Sequence, residues 1–178
     1  MCIKVRSVAP DFIAEAYERD SDKPKKIRLS DYRGKWVILF FYPRDFTFVC
    51  PTEIERFAGL EPEFKKENAV VLGASTDSFF SHKAWYETDE RIKKVNFPII
   101  ADTTLAISRA YGVLNEEDGS AFRATFIIDP EGIVRHVVVN DMNIGRSVDE
   151  TLRTLQALKT GELCPVEWRP GKKTLGKP

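Results

Sequence analysis

Trp36-Val37-Ile38-Leu39-Phe40-Phe41-Tyr42 is an unbroken run of apolar, aromatic and β-branched residues of strand length. A strand with one wet face alternates apolar and polar residues; a strand covered by helices on both faces does not. The run therefore reads as the core strand of a parallel or mixed sheet. A loop from Pro43 to Val49 follows it, and then Ile54, Phe57, Ala58 and Phe64 fall at helical spacing. Further along, Ala69–Ser75 repeats the buried-strand pattern, and Asp77 or Ser78 can cap a helix running to about Asp89. Phe97-Pro98-Ile99-Ile100 is a short strand, and a short helix is expected to start at Thr103 or Thr104 and end near Tyr111-Gly112. Residues 124–129 and 133–139 flank Pro130-Glu131-Gly132, a hairpin signature. Ser147-Val148-Asp149-Glu150 is a capping-box sequence opening a helix with Val148, Leu152 and Leu155 on one face, which stops at Thr160-Gly161. Upstream of the core strand, Ser30 to Lys35 reads as a turn through Gly34, and the residues before it suit a hairpin-like N-terminal elaboration. Helices alternating with strands and closing on a hairpin plus helix indicate an α/β fold of three layers with a mixed central β-sheet. Residues 1–160 are read as the domain, and residues 161–178, rich in proline and glycine, as a C-terminal tail.

Composition narrows the function classes. The chain has 178 residues, 43% of them apolar, enough for one domain with a core that needs no metal or disulfide. Lys+Arg and Asp+Glu number 27 each, so no basic excess points to a nucleic acid. With only 10 Gly and 10 Pro and 11% aromatics, collagen-like, coiled-coil and disordered readings also fail. No apolar run approaches the roughly 18 residues that a membrane span requires. The start, Met1-Cys2-Ile3-Lys4-Val5-Arg6, does not resemble a secretory signal, and the expected location is cytoplasmic. Cys2, Cys50 and Cys164 lie too far apart for a disulfide scaffold or a Cys-x-x-Cys zinc site, and only His82 and His136 could join them; no metal is expected.

The chemistry concentrates in the loop after the core strand. Helices that follow buried parallel strands begin at the carboxyl edge of the sheet, where α/β sites form. Cys50 stands at such a helix start, with Pro51 next and Glu53 in the first turn. Proline suits the first helical position because its missing N–H would be unpaired there. A cysteine at that place feels the positive end of the helix dipole, which stabilises the nucleophilic thiolate. A buried, inert cysteine is the commoner fate of a lone thiol, and position alone leaves the two readings balanced. The upstream spacing Pro43-x-x-x-Thr47-x-x-Cys50 shifts the balance. Thr47 brings a hydroxyl able to accept from a substrate O–H or donate to sulfur or oxygen, although alone it would pass for a loop residue or cap. Pro43 supplies a rigid, donor-free wall.

Phe46-Thr47-Phe48-Val49-Cys50-Pro51-Thr52-Glu53 resembles the peroxidatic loop of the peroxiredoxins. The branch it most resembles is the typical two-cysteine one, of the alkyl hydroperoxide reductase and thioredoxin peroxidase type. The resemblance runs through the chain in order: Ala9-Pro10-Asp11-Phe12, Val37 to Pro43, Ser81-His82-Lys83-Ala84-Trp85, residues 123–130, Asn140-Asp141, residues 145–150 and Gly161-Glu162-Leu163-Cys164-Pro165. It implies a thioredoxin-like fold and a thiol peroxidase with no metal and no bound organic cofactor. Cys50 is then the peroxidatic cysteine, attacking the terminal oxygen of a hydroperoxide and becoming a sulfenic acid. Thr47 and the Cys50 N–H are the donors to the peroxide oxygens, Arg123 holds thiolate and peroxide, and Pro43 shields the sulfenate from water. Without the resemblance Arg123 would read as a solvated charge. Glu53 is expected to pair with Arg146 and so position Arg123, a weaker expectation because surface ion pairs contribute little.

The same resemblance gives Cys164, otherwise a stray thiol in the tail, a resolving role. Cys164 of a second subunit attacks the sulfenic acid, and the intersubunit disulfide is then reduced by an external dithiol, thioredoxin or a flavoprotein disulfide reductase. Because a disulfide needs Cα atoms within about 7 Å, the helix start at Cys50 is expected to unfold locally. The implied homodimer pairs the edge strand at 133–139 with its copy, and a ring of five dimers is compatible with it. Phe46, Phe48, Phe79 and Phe80 are candidate ring contacts, with core packing the expected use of each. Two competing functions stand beside the peroxidase. One is a redox sensor or holdase chaperone using the same cysteine switch; the intact Pro/Thr/Cys/Arg set favours the enzyme. The other is a disulfide exchanger, which would need a second thiol in Cys50-Pro51-Thr52-Glu53. The sequence also departs from the family pattern. Cys2 has no counterpart, and Ala124 stands where glycine is frequent. Lys93 to Phe97 lacks the Gly-Gly-Leu-Gly loop of peroxide-sensitive members, and residues 172–178 lack their Tyr-Phe helix, so an enzyme robust to excess peroxide is expected.

Overall fold

The computed structural model describes residues 3–178, so Cys2 lies outside the described residues. The core strand is β3 (Trp36–Phe41), and its two faces are both covered. Ile38 and Phe40 pack among Phe57, Phe64, Phe79, Trp85 and Leu155, whereas Val37, Leu39 and Phe41 pack among Ile107, Tyr111 and Leu29. The period of two along a strand sends successive side chains to opposite layers, which is why no polar residue interrupts this run.

Around it the chain builds β1 (Ile13–Tyr17), β2 (Lys25–Arg28), α1 (Cys50–Lys66), β4 (Ala69–Ser75), α2 (Phe79–Thr88), β5 (Ile99–Ala101), α3 (Ala106–Ala110), β6 (Arg123–Ile128), β7 (Val134–Asn140) and α4 (Val148–Thr160). Among the described residues, seven strands form one sheet in the order β2-β1-β5-β4-β3-β6-β7. β3 runs parallel to β4 and β4 to β5, while β6 is antiparallel to β3 and β7 to β6, so the sheet is mixed as expected. The N-terminal hairpin is β1 with β2, joined to the sheet through β5. In the β6–β7 turn, the Asp129 carboxylate accepts from Glu131 N (3.1 Å) and Ile133 N (2.8 Å), and Gly132 takes φ +80°, a conformation that favours glycine.

Ser78 and Ser147 cap α2 and α4, each hydroxyl accepting from the N–H three residues on (3.3 and 3.2 Å). The start of α3 differs from expectation. It begins at Ala106, and the buried Asp102 carboxylate accepts from Ile107 N (3.1 Å) and Ser108 N (2.7 Å). A carboxylate satisfies two free helix donors and favours the dipole, so the helix starts where Asp102 can reach it rather than at Thr103 or Thr104. The aromatic expectation also needs correcting. Phe79 is core, but Phe46, Phe48 and Phe80 are 57%, 93% and 76% exposed.

The residues after α4 fold back on themselves. Gly161 ends the helix in the left-handed region (φ +65°). Leu163 N donates to the Gly176 carbonyl (2.8 Å) and Leu175 N to that of Leu163 (2.7 Å), so the segment closes on itself. The Trp168 indole donates to the Lys172 carbonyl (2.9 Å), and Arg153 of α4 donates to the Trp168 carbonyl (2.9 Å).

Candidate active site

Cys50 is the first residue of α1 and is fully buried. Pro51 follows, and the first-turn N–H groups of Thr52 and Glu53 return to the Val49 carbonyl (3.1 and 3.3 Å). The sulfur accepts from Arg123 Nη1 at 3.3 Å, a hydrogen bond across 73 residues of sequence that β6 makes by placing Arg123 at the strand's first position. A guanidinium donor and the helix N-terminus both favour negative charge on that sulfur.

Arg123 is held from both sides. Its Nε donates to the Met142 carbonyl (2.7 Å), and the same Nη1 that meets the sulfur donates to Glu53 Oε2 (2.8 Å). Glu53, one turn along α1 from Cys50, accepts in addition from the backbone N (2.7 Å), Nε (2.8 Å) and Nη2 (2.9 Å) of Arg146. Arg146 Nη1 donates to the carbonyls of Phe41 (2.7 Å) and Ala124 (2.6 Å), and the guanidinium lies 5.5 Å over the Phe40 ring. The Glu53–Arg146 pair was expected to be a weak surface contact; instead both side chains are 2% exposed and Arg123 is 5% exposed. Burial alone pushes the Glu53 carboxyl up, but the hydrogen bonds and charge of Arg146, with Arg123 behind them, prevail and hold it below the usual carboxylate range.

Pro43 is buried at the end of β3. Thr47 is half-buried, and its hydroxyl donates to the Arg44 carbonyl (3.0 Å) rather than to the sulfur. Between them Phe46 occupies the left-handed region (φ +56°), an unfavourable backbone for a bulky residue that its surroundings must hold.

What holds the loop was not singled out in the sequence. The buried Asp45 carboxylate accepts from Tyr42 OH (2.7 Å), from Ser81 Oγ (2.7 Å) and meets His82 Nδ1 (2.8 Å). Its backbone N donates to Asp77 Oδ2 (2.9 Å). Burial, and then the Asp45 charge, push the Tyr42 phenol well up, so it stays a donor. The signal that could have revealed this anchor is an acidic residue three positions after the fully apolar run ends at Tyr42, with a histidine inside an otherwise apolar helix face.

Cys164 lies beyond α4, half-buried, near Thr160 Oγ1 (3.4 Å) and the Ala157 carbonyl (3.7 Å). Both described thiols, Cys50 and Cys164, are free. One chain thus brings Cys50, Glu53, Arg123 and Arg146 into contact, sets Thr47 and Pro43 on the adjoining loop, and holds Cys164 in its own surroundings. Among the described residues, no three His, Cys, Asp or Glu side chains converge as a metal site requires.

A free thiol on a helix start, faced by a buried guanidinium on a thioredoxin-like sheet, defines a thiol-dependent peroxidase of the peroxiredoxin class. Residues 5–137 match the model of the AhpC/TSA family, and the chain belongs to it. It is 52% identical over 180 residues to the chloroplastic 2-Cys peroxiredoxin BAS1 of Spinacia oleracea, covering 96% of this chain and 67% of that one. It is 50% identical over 174 residues to peroxiredoxin-1 of Gallus gallus, covering 94% of this chain and 87% of the relative. Among solved structures, reduced Plasmodium vivax 2-Cys peroxiredoxin superposes with a TM-score of 0.90 at 40% identity, covering 95% of this chain and 91% of that one. Of the three readings, these relatives support the peroxidase.

Proposed function

We propose that Cys50 reduces hydrogen peroxide and organic hydroperoxides and that Cys164 of a second subunit resolves the product. The observation that carries this reading is the Arg123–Cys50 contact at 3.3 Å inside a buried charge network. The Cys50 thiolate attacks the terminal peroxide oxygen: an S–O bond forms, the O–O bond breaks, and the leaving oxygen takes a proton to depart as water or an alcohol. Negative charge moves from sulfur to the leaving oxygen, so donors placed beside it help the transition state more than the ground state. Arg123, the Thr47 hydroxyl and the Cys50 N–H are those donors, Glu53 and Arg146 keep Arg123 in place, and Pro43 keeps water from the sulfenic acid.

Cys164 then condenses with the sulfenic acid, releasing water, and an external dithiol, thioredoxin or a flavoprotein disulfide reductase, reduces the disulfide. In this reading residues 1–160 are the peroxidase domain and residues 161–178 the arm that carries the second thiol. β7 is the last strand in the sheet; Val134 at its start exchanges hydrogen bonds with Arg6 and Ser7 (2.7 and 2.9 Å), and farther along Val139 is 53% exposed, which supports pairing of that part with a second copy. Exposed Phe46, Phe48 and Phe80 support a ring of such dimers. Free thiols in use suit a reducing compartment such as the cytosol.

The test is non-reducing electrophoresis after one equivalent of peroxide, on wild type, Cys50→Ser and Cys164→Ser, beside peroxide consumption coupled to thioredoxin. A linked dimer lost in both variants and turnover lost in Cys50→Ser are the expected results. A linked dimer that survives Cys164→Ser would remove the resolving role from that residue.

A further inference from the structure

We propose that Thr160 is a positioning residue that seats the Cys164 sulfur, as a thiol, against the end of α4 until resolution begins. The proposal rests on Cys164 being the resolving cysteine. A threonine hydroxyl carries one proton, and that of Thr160 goes to the Ala157 carbonyl (2.8 Å). Its lone pairs face the Glu162 N–H (3.1 Å) and the Cys164 sulfur (3.4 Å). The proton in the Thr160–Cys164 contact is therefore the thiol's own, and the sulfur's other neighbour, the Ala157 carbonyl at 3.7 Å, is again an acceptor. Both belong to the last turn of α4, where free carbonyls carry negative partial charge. That seat offers the S–H two acceptor oxygens. It is the reverse of the setting of Cys50, at the opposite pole of a helix beside a guanidinium.

The folded-back segment closes the seat. The Leu163–Gly176 and Leu175–Leu163 backbone bonds, the Thr174–Glu162 hydrogen bond and the Arg153–Trp168 contact hold the chain on both sides of Cys164. The charged groups that line the groove with it are Glu150 and Arg153 from α4, and Glu167, Arg169 and Lys172 from the returning segment.

In resolution the Cys164 sulfur forms an S–S bond to the partner's sulfenic sulfur, the S–O bond breaks, and hydroxide leaves with the thiol proton as water. The two sulfurs supply and accept the electron pair, so no further oxidant is needed. Before that attack the sulfur must leave Thr160 and Ala157. The strength of the seat therefore enters the barrier to resolution and not the barrier to peroxide reduction.

Thr160→Val removes the hydroxyl and keeps the shape; Thr160→Ser keeps the hydroxyl and loses the methyl. In single-turnover stopped flow with hydrogen peroxide, the first phase should be unchanged in both. The disulfide-forming phase should quicken about two- to fivefold in Thr160→Val, the worth of one modest hydrogen bond, and stay at the wild-type rate in Thr160→Ser. Iodoacetamide alkylation of Cys164 in a Cys50→Ser background should quicken by a similar factor with Thr160→Val. Thr160→Ala, which adds no methyl, must agree with Thr160→Val, and guards against misfolding of one variant. Resolution that is unchanged or slower in Thr160→Val and Thr160→Ala overturns the seat, as does a Thr160→Ser variant that behaves like them. A wild type that forms no intersubunit disulfide would instead overturn the resolving role itself.

Discussion

Replacing Glu53 by glutamine tests the charge network at its centre. The carboxylate accepts hydrogen bonds from Arg123 Nη1 (2.8 Å) and from the N (2.7 Å), Nε (2.8 Å) and Nη2 (2.9 Å) of Arg146. An amide keeps one acceptor oxygen, turns N–H groups toward a guanidinium, and leaves two buried cations without a counter-charge. Removing one partner of a buried ion pair costs about 3–5 kcal/mol, because the remaining charge stays desolvated. These side chains are 2–5% exposed, so solvent screening offers little discount. Against a typical total stability of about 5–15 kcal/mol, the variant should fold but unfold at much lower denaturant. The rate should fall as well. Arg123 reaches the sulfur through the same Nη1 that Glu53 holds, and losing one aimed donor costs about 10²–10³-fold in such sites. Urea unfolding and stopped-flow peroxide reduction measure the two effects.

The pH dependence has a fixed sign. Glu53 is held below its ordinary value of about 4.3, so its contribution is complete above that pH and fades as pH falls toward the folded-state value. The stability gap between wild type and Glu53→Gln should therefore narrow in acid. A variant within about 0.5 kcal/mol of wild type at neutral pH, with its peroxide rate intact, would refute the view that this carboxylate organises the two arginines.

Three further outcomes follow from other contacts. Thr47→Val should lower the second-order rate with peroxide about 10–100-fold with little change in melting temperature, while Thr47→Ser keeps most of the rate; equal losses in both would move the role to the methyl group. Asp45→Asn leaves the donors Tyr42, Ser81 and His82 facing a poorer acceptor in a buried site, and should cost about 1–3 kcal/mol in chemical unfolding and speed proteolysis of the 43–49 loop. Phe48→Ser combined with Phe80→Ser, at side chains 93% and 76% exposed, should leave dimers in place of larger assemblies by sedimentation velocity without lowering monomer stability; unchanged assemblies would place the ring contact elsewhere.

Strand and helix identities came through in the one-dimensional pattern because periodicity is a local property. The unbroken apolar run at 36–42, the capping residues Ser78 and Ser147 and the Asp129–Gly132 turn all appear where expected. Local order also misled: the pattern starts a helix at Thr103 or Thr104, but α3 begins at Ala106, where the Asp102 carboxylate accepts from Ile107 N and Ser108 N.

From the sequence by itself came the α/β class with a mixed sheet, the thiol at a helix start, and the family likeness of the loop around it. Burial of charge came only from the tertiary structure. Glu53, Arg123 and Arg146 stand up to 93 residues apart in the chain, and three unrelated segments have to converge before a carboxylate and two guanidinium groups become a closed network. The same holds for Asp45 and His82, and for the three phenylalanines left facing water. A residue's chemistry is written in its letter, but its dielectric surroundings and its partners exist only after the chain has packed, and those set the strength of every charge in this site.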